Sequence, residues 1–289
     1  MTKEEFLKEG GLDFLVKKVP LHTYNTQFAD DYAETKFFAT VNYSTGEALG
    51  PVRSAYTVKQ NSEILDILLD KIGTGNYDLE SSSCGHFDKG RKLYMFIKYT
   101  KMKANWAQED ADCYVYALSS HDGSQKLTFG VANKIHSCSN MFSVLMADKE
   151  RNHTMKHFAG SSTKMDTSLT DLIDKNLNGL ASLMRTMQCH KIEYSDSFVS
   201  DVMDLVANTN LKQKNVKWHK KRQHIEHCMQ DEFSTKGATF YGLFNGMTNY
   251  LTHKAGYDTA SNLAGTGSKV GRKALQMIIK EMRNRGCLN

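Results

Sequence analysis

The sequence predicts an α+β fold: an antiparallel, β-sheet-rich N-terminal half with helices packed on it, followed by a helical C-terminal half. Alternating, aromatic and β-branched runs separated by turn residues occupy the chain up to about Asn140. Apolar residues at three- and four-residue spacing take over beyond it. Strands and helices are therefore segregated, which is the pattern of α+β and not of a doubly wound parallel sheet.

Taken in order, Thr2 to Val16 suits a short amphipathic helix broken at Gly10 and Gly11. Phe37 to Tyr43 alternates as a strand does, Thr45 to Gly50 turns the chain, and Val52 to Lys59 offers a second strand. Asn61 and Ser62 can cap the next helix, with Ile64, Leu65, Leu68, Leu69 and Ile72 along one face and Gly73 at its end. Tyr77 to Cys84, Lys92 to Lys101 and Cys113 to Ser119 read as three more strands. His121-Asp122-Gly123-Ser124 reads as a hairpin turn, because Asp-Gly accommodates positive φ, and Lys126 to Ile135 pairs back. Helical periodicity then marks Ser168 to Met187, Phe198 to Ala207, Thr239 to His253 and Ser268 to Arg285.

Only Pro20 and Pro51 are proline, and no Gly/Ser tract reads as a linker. Residues 1–289 are therefore expected to form one continuous body, β-rich over 1–140 and helical over 141–289, basic at its end. Cys84, Cys113, Cys138, Cys189, Cys228 and Cys287 include no C-x-x-C pair and read as reduced thiols. The acidic N-terminus does not resemble a secretory signal, and no run approaches the roughly 20 apolar residues of a membrane span. A cytoplasmic protein is expected.

Charge is unevenly placed. Leu211 to Asn289 holds 14 Lys and Arg against 5 Asp and Glu, whereas the preceding residues are slightly acidic. A basic end implies a polyanionic partner. Trp218, Phe233, Phe240, Tyr241, Phe244, Tyr250 and Tyr257 are interleaved with the cations, and rings beside cations suit a single strand, whose bases stack while its phosphates are neutralised. The alternative is a solvated basic face over helices whose rings are core. Lys217, Trp218, Lys220, Lys221 and Arg222 form one candidate group; Lys269, Arg272 and Lys273 form another, sharing a helix face with Lys280 and Arg283. The glycine-rich Ala264 to Lys269 lacks P-loop spacing and reads as a loop plus cap.

Asn245, Asn249 and His253 recur at i, i+4 and i+8 and form a candidate polar network or site on one helix. His224, His227 and Cys228 share a helical face, but no second cluster completes a metal site, so neither metal nor cofactor is expected. No nucleophile elbow, zinc-protease motif or dinucleotide fingerprint occurs. Asp78 with Glu80, or Glu232 with Lys236, could be assembled as nuclease groups, but solvated surface charge accounts for such pairs as well.

A colinear set of short motifs adds a resemblance. Gly10-Gly11-Leu12-Asp13-Phe14 with Val19-Pro20-Leu21, Leu49-Gly50-Pro51-Val52, and Tyr56 through Asn61 come first. Ser120 to Ser124, Ser137-Cys138-Ser139-Asn140, Trp218-His219 and Tyr241 through His253 follow. In this order they resemble the phage/plasmid-like proteins of unknown function encoded by tailed phages and plasmids. The chain departs from that pattern at Phe14, where the family has tryptophan, and at Ala132 to Ser137, where the family has an Arg-Val-Val run. The resemblance implies a mobile-element origin and supplies no catalytic residue. The resulting expectation is a phage-encoded nucleic-acid-binding protein, binding or annealing single-stranded DNA in recombination or replication, with homo-oligomeric rings or filaments as that class forms. A nuclease with an unrecognised carboxylate site and a non-enzymatic structural or host-takeover protein are the alternatives.

Overall fold

The computed structural model describes residues 1–24, 32–106, 109–135, 153–155, 157, 168–207, 216–257 and 266–288, to which all structural statements refer. The chain divides into two compact units: Met1–Met102 with Tyr114–Val131 and Glu150–Asp174, and Lys103–Cys113 with Ala132–Lys149 and Lys175–Asn289.

The first unit opens with α1 (Lys3–Glu9), capped reciprocally: the Thr2 hydroxyl accepts from Glu5 N–H at 3.2 Å, and the Glu5 carboxylate accepts from Thr2 N–H at 2.7 Å. Gly11 takes φ +64° and the chain leaves as a strand, so Val16 begins β1 instead of ending a helix. β1 (Val16–Tyr24), β2 (Tyr32–Asn42) and β3 (Ala48–Arg53) form an antiparallel sheet in that order. β1 was not expected because Lys17, Lys18 and Pro20 interrupt its apolar pattern; Pro20 lies opposite Phe38 beside a register shift, where a missing N–H is tolerated.

α2 (Asn61–Ile72) buries the expected face, Ile64, Leu65, Leu68, Leu69 and Ile72. Its cap differs from expectation. The N-cap position falls on Gln60, whose N–H donates to the Glu63 carboxylate at 3.2 Å, while the Asn61 amide turns into the core. A five-stranded sheet follows in chain order: β4 (Tyr77–Phe87), β5 (Lys92–Trp106), β6 (Glu109–Ser120), β7 (Leu127–Ile135) and β8 (His153–Met155). β4 runs antiparallel to β5 and β7 to β8. β6 is central, and every residue from Cys113 to His121 is buried, so its two covered faces erase the alternation of a half-exposed strand. In the turn after it, only Gly123 takes a positive φ, +71°.

The second unit holds α3 (Ser168–Cys189) from Lys175 onward, α4 (Ser197–Ala207), α5 (Val216–Lys236), α6 (Phe240–Asn249) and α7 (Thr266–Asn284). α6 is buried from Phe240 to Thr248, and α4, α5 and α7 pack against it, which makes it the centre of the helical core. The Thr239 hydroxyl caps it by accepting from Gly242 N–H at 3.1 Å, and a π-helical turn (Tyr250–Lys254) extends it. Apolar periodicity does not mark α5, although His224, His227 and Cys228 share a helical face within it. Its inward residues, Trp218, Ile225, Cys228, Met229 and Glu232, form too thin a stripe among charged neighbours to show strong periodicity. α5 and α6 approach closely at Gly246, where a Cβ would lie 2.6 Å from the Met229 Cα.

Candidate nucleic-acid interface

α7 is the clearest basic surface. Val270, Ala274, Leu275, Ile278 and Met282 are buried, which fixes the rotation of the helix. Lys269, Lys273, Gln276, Lys280 and Arg283 are consequently exposed, at spacings that hold them in one stripe about 21 Å long. No ion pair joins these four cations to a described residue. The helix has one acid, Glu281, and the Arg285 guanidinium engages it at 2.8 Å. Arg272, an expected member, is half-buried; its Nε is enclosed and lacks a hydrogen-bond partner among the described residues.

On α5 the expected group divides. Lys217 and Lys220 are exposed and Lys221 is half-buried. Trp218 is only 5% exposed and belongs to the hydrophobic core of the helical unit, so its ring does not meet a base. Arg222 is likewise spent internally: its Nη1 pairs with Asp204, its Nη2 donates to the Ser200 hydroxyl at 2.9 Å, and its guanidinium lies 5.5 Å from the Trp218 ring centroid. Both residues leave the interface for one reason: Trp218 begins the inward stripe of α5, and Arg222, one turn on, closes over it. The other interleaved rings follow, with Phe240, Tyr241, Phe244 and Tyr250 buried and Phe233 and Tyr257 half-buried. His224 and His227 are exposed whereas Cys228 is buried, and no group of His, Cys, Asp and Glu among the described residues could hold a metal.

Asn245 is buried and its Nδ2 donates to the Tyr241 carbonyl at 2.9 Å; the Asn249 Nδ2 donates to Glu232 at 3.1 Å. Lys236 lies 3.7 Å from the other oxygen of Glu232. The Asn249–Glu232 bond ties α6 to α5, whereas the Asn245 bond stays within α6. His253 is exposed, because the π-helical turn inserts an extra residue per turn and ends the i, i+4, i+8 register. Asp78 belongs to a local turn, accepting from the Ser81 hydroxyl at 2.5 Å and from Glu80 N–H at 3.0 Å; the Ser81 bond holds its carboxyl below the ordinary range. Glu80 takes the Met1 amino group at 3.2 Å.

The resembling motifs of the first unit converge on one residue that sequence reading placed only in a turn. The His121 Nε2 lies 2.9 Å from the Asn61 Oδ1, and the Asn61 Nδ2 donates to the Leu12 carbonyl at 2.9 Å. Because that amide presents its oxygen, His121 donates from Nε2. Its backbone N–H donates to Arg91, its carbonyl accepts from the Thr40 hydroxyl at 2.7 Å, and the Phe14 ring stands edge-on 6.1 Å away. Burial pushes the imidazole down to about 4, so it is neutral at pH 7. Next to it the Tyr56 hydroxyl donates to the Ser120 carbonyl at 2.8 Å, and the Tyr56 ring stacks on His157 at 4.9 Å. The Asn61 and Thr40 contacts, 60 and 81 residues from His121 in sequence, leave no local signal by which this cluster could be found. Ser137 to Asn140 and the approach to α7 up to Gly265 lie outside the described residues.

Together these observations define an α+β protein with antiparallel sheets, a buried histidine hub under its sequence motifs and a cationic helix. No helix among the described residues is long and apolar enough to cross a membrane. The chain belongs to the family described as domain of unknown function DUF932, which matches residues 48–276. No curated protein and no solved structure was found to match it.

Proposed function

We propose that this chain is a phage-encoded nucleic-acid-binding protein that binds single-stranded DNA and anneals complementary strands in recombination or replication. The exposed stripe of Lys269, Lys273, Lys280 and Arg283 carries the reading: four cations on one rigid face match a run of phosphates, and their binding would release counterions. Lys217 and Lys220 add positive charge at the start of α5. Trp218 is buried and supplies no base stacking. Exposed rings beside cations occur instead on the three-stranded sheet, where Phe37 is 51% exposed opposite Arg53 and the Lys17 Nζ lies 3.3 Å from the centroid of the Tyr43 ring. Annealing makes and breaks no covalent bond and needs only neutralised phosphates and accessible bases. The phage assignment rests on the colinear motifs.

The test is fluorescence anisotropy with labelled single- and double-stranded oligonucleotides over a salt series. Replacing Lys269, Lys273 and Lys280 with alanine should weaken binding to every sequence and lower the log–log salt slope on a single strand by about 2, at about 0.7 per phosphate contact. Phe37→Ala should weaken single-strand binding with little change in slope. An unchanged affinity and slope in the triple variant, with its helicity intact, would remove α7 as the binding surface.

A further inference from the structure

Between the end of β3 and the turn after β6, the first unit has a cavity of about 470 Å³. That volume is within the range of small-ligand sites, which run from about 300 to 1,000 Å³. Val52 and the Tyr56 ring give it an apolar wall, and the stacked His157 extends that wall. Arg53 and Lys126 stand on its lining, both exposed, and neither forms an ion pair with a described residue. Asp122 adds a half-buried carboxylate, ionised at neutral pH, that accepts from Ser124 N–H at 2.9 Å. His157 is 7% exposed; its Nε2 lies 3.4 Å from the Ser119 hydroxyl, and its Nδ1 has no hydrogen-bond partner among the described residues.

A buried ring nitrogen without a partner costs free energy unless something satisfies it, and here it belongs to a residue lining a cavity. Two unpaired cations, an aromatic wall and a hydrogen-bonding carboxylate match a planar heterocycle carrying a sugar and a phosphate. A bare anion would leave the apolar wall unused, and an apolar ligand would leave Arg53 and Lys126 unused. We propose that this cavity binds a nucleoside 5′-phosphate: the base lies along the Tyr56–His157 wall, Asp122 accepts from the base or sugar, and Arg53 and Lys126 hold the phosphate. The ligand is either a free mononucleotide or the terminal nucleotide of a strand. Neither the cavity nor its residues depend on the basic stripe of α7.

Calorimetric titration of the full chain with 5′-AMP, 5′-UMP, ribose 5-phosphate and inorganic phosphate tests this. Both nucleotides should bind saturably and more tightly than ribose 5-phosphate or phosphate. Arg53→Ala and Lys126→Ala, at exposed positions where folding is not at risk, should each raise the nucleotide Kd about fivefold or more. His157→Phe, which keeps an aromatic ring beside Tyr56, should weaken nucleotide binding while leaving ribose 5-phosphate binding unchanged. Displacement of bound 5′-AMP by a 5′-phosphorylated oligonucleotide identifies the strand terminus as the source, and failure to displace it identifies the free mononucleotide. The Lys269, Lys273 and Lys280 triple variant should bind 5′-AMP like the parent, which separates this site from the α7 stripe. Nucleotides binding no better than inorganic phosphate, or with a Kd unmoved by Arg53→Ala and Lys126→Ala, would overturn the assignment.

Discussion

Gly246→Ala should destabilise the helical unit although it improves the intrinsic helix propensity of α6. In an open helix position this exchange gains about 1 kcal/mol. At 246, however, the new Cβ would stand 2.6 Å from the Met229 Cα, 2.7 Å from its Cγ and 3.1 Å from its Cβ. A backbone atom cannot rotate away, so α5 and α6 must separate by about 1 Å to restore van der Waals contact. Overpacking of this kind costs about 1–3 kcal/mol, and the rigid Cα places it toward the upper end. The clash therefore exceeds the propensity gain, leaving a net loss of about 1–2 kcal/mol. Thermal denaturation followed by circular dichroism should show a Tm lower by about 2–8 °C. Gly179→Ala in α3 is the control, because a Cβ there meets no described residue within 4 Å and should raise the Tm slightly. If Gly246→Ala stabilised the protein as Gly179→Ala does, the close approach of α5 and α6 would be refuted.

Trp218→Ala should cost about 3–5 kcal/mol of stability and leave the salt slope of nucleic-acid binding unchanged, since its ring is core; a soluble, stable variant with weakened binding would contradict this. Asn249→Ala should lose about 1–3 kcal/mol by stranding the buried Glu232 carboxylate, and Asn245→Ala should lower the Tm, both with nucleic-acid affinity intact in equilibrium titrations. His121 is held at about 4 in the fold against 6.5 when exposed, so the unfolded chain takes up the proton first. Its contribution is complete above pH 6.5 and is lost as pH falls toward 4, by up to about 3 kcal/mol in urea midpoints; an NMR titration showing it protonated at pH 6 would contradict this.

Much of the fold was legible because its elements follow local rules. α2 shows a full apolar face, β5 is rich in large apolar residues, and α4 and α6 repeat at helical spacing, so their types could be read from short windows. β1 was hidden by Lys17, Lys18 and Pro20, and α5 by its thin inward stripe; both are held by long-range contacts that local pattern cannot show. The same limit applies to the candidate site. Lys269 and Lys273 were read onto the correct face because Val270, Ala274 and Ile278 fix the rotation of α7. Trp218 reads as exposed from its lysine neighbours, whereas Ile225, Met229 and Glu232, about two to four turns on, decide that it points inward. The cavity beside Tyr56 and His157 joins residues about a hundred positions apart and had no sequence signature.

The hub at His121 also orders events along the chain. Thr40, Asn61 and Arg91 each direct a hydrogen-bonding group at this one residue, so none of these bonds can form until the segment after β6 has been made. The first unit must therefore condense late and by long loop closures, the route that slows folding and prolongs exposure of unpaired strand edges. The helical core, assembled from Leu183 onward, also closes over a long separation, since Asp196 pairs with Arg285 in the segment after α7. A nascent chain stopped before His121 would keep the Asn61 bond to Leu12 but leave the Asn61 Oδ1 without the ring N–H that His121 brings to it. Such a chain should be a preferred client for holdase chaperones, and release of that chaperone should coincide with synthesis of the β6–β7 turn.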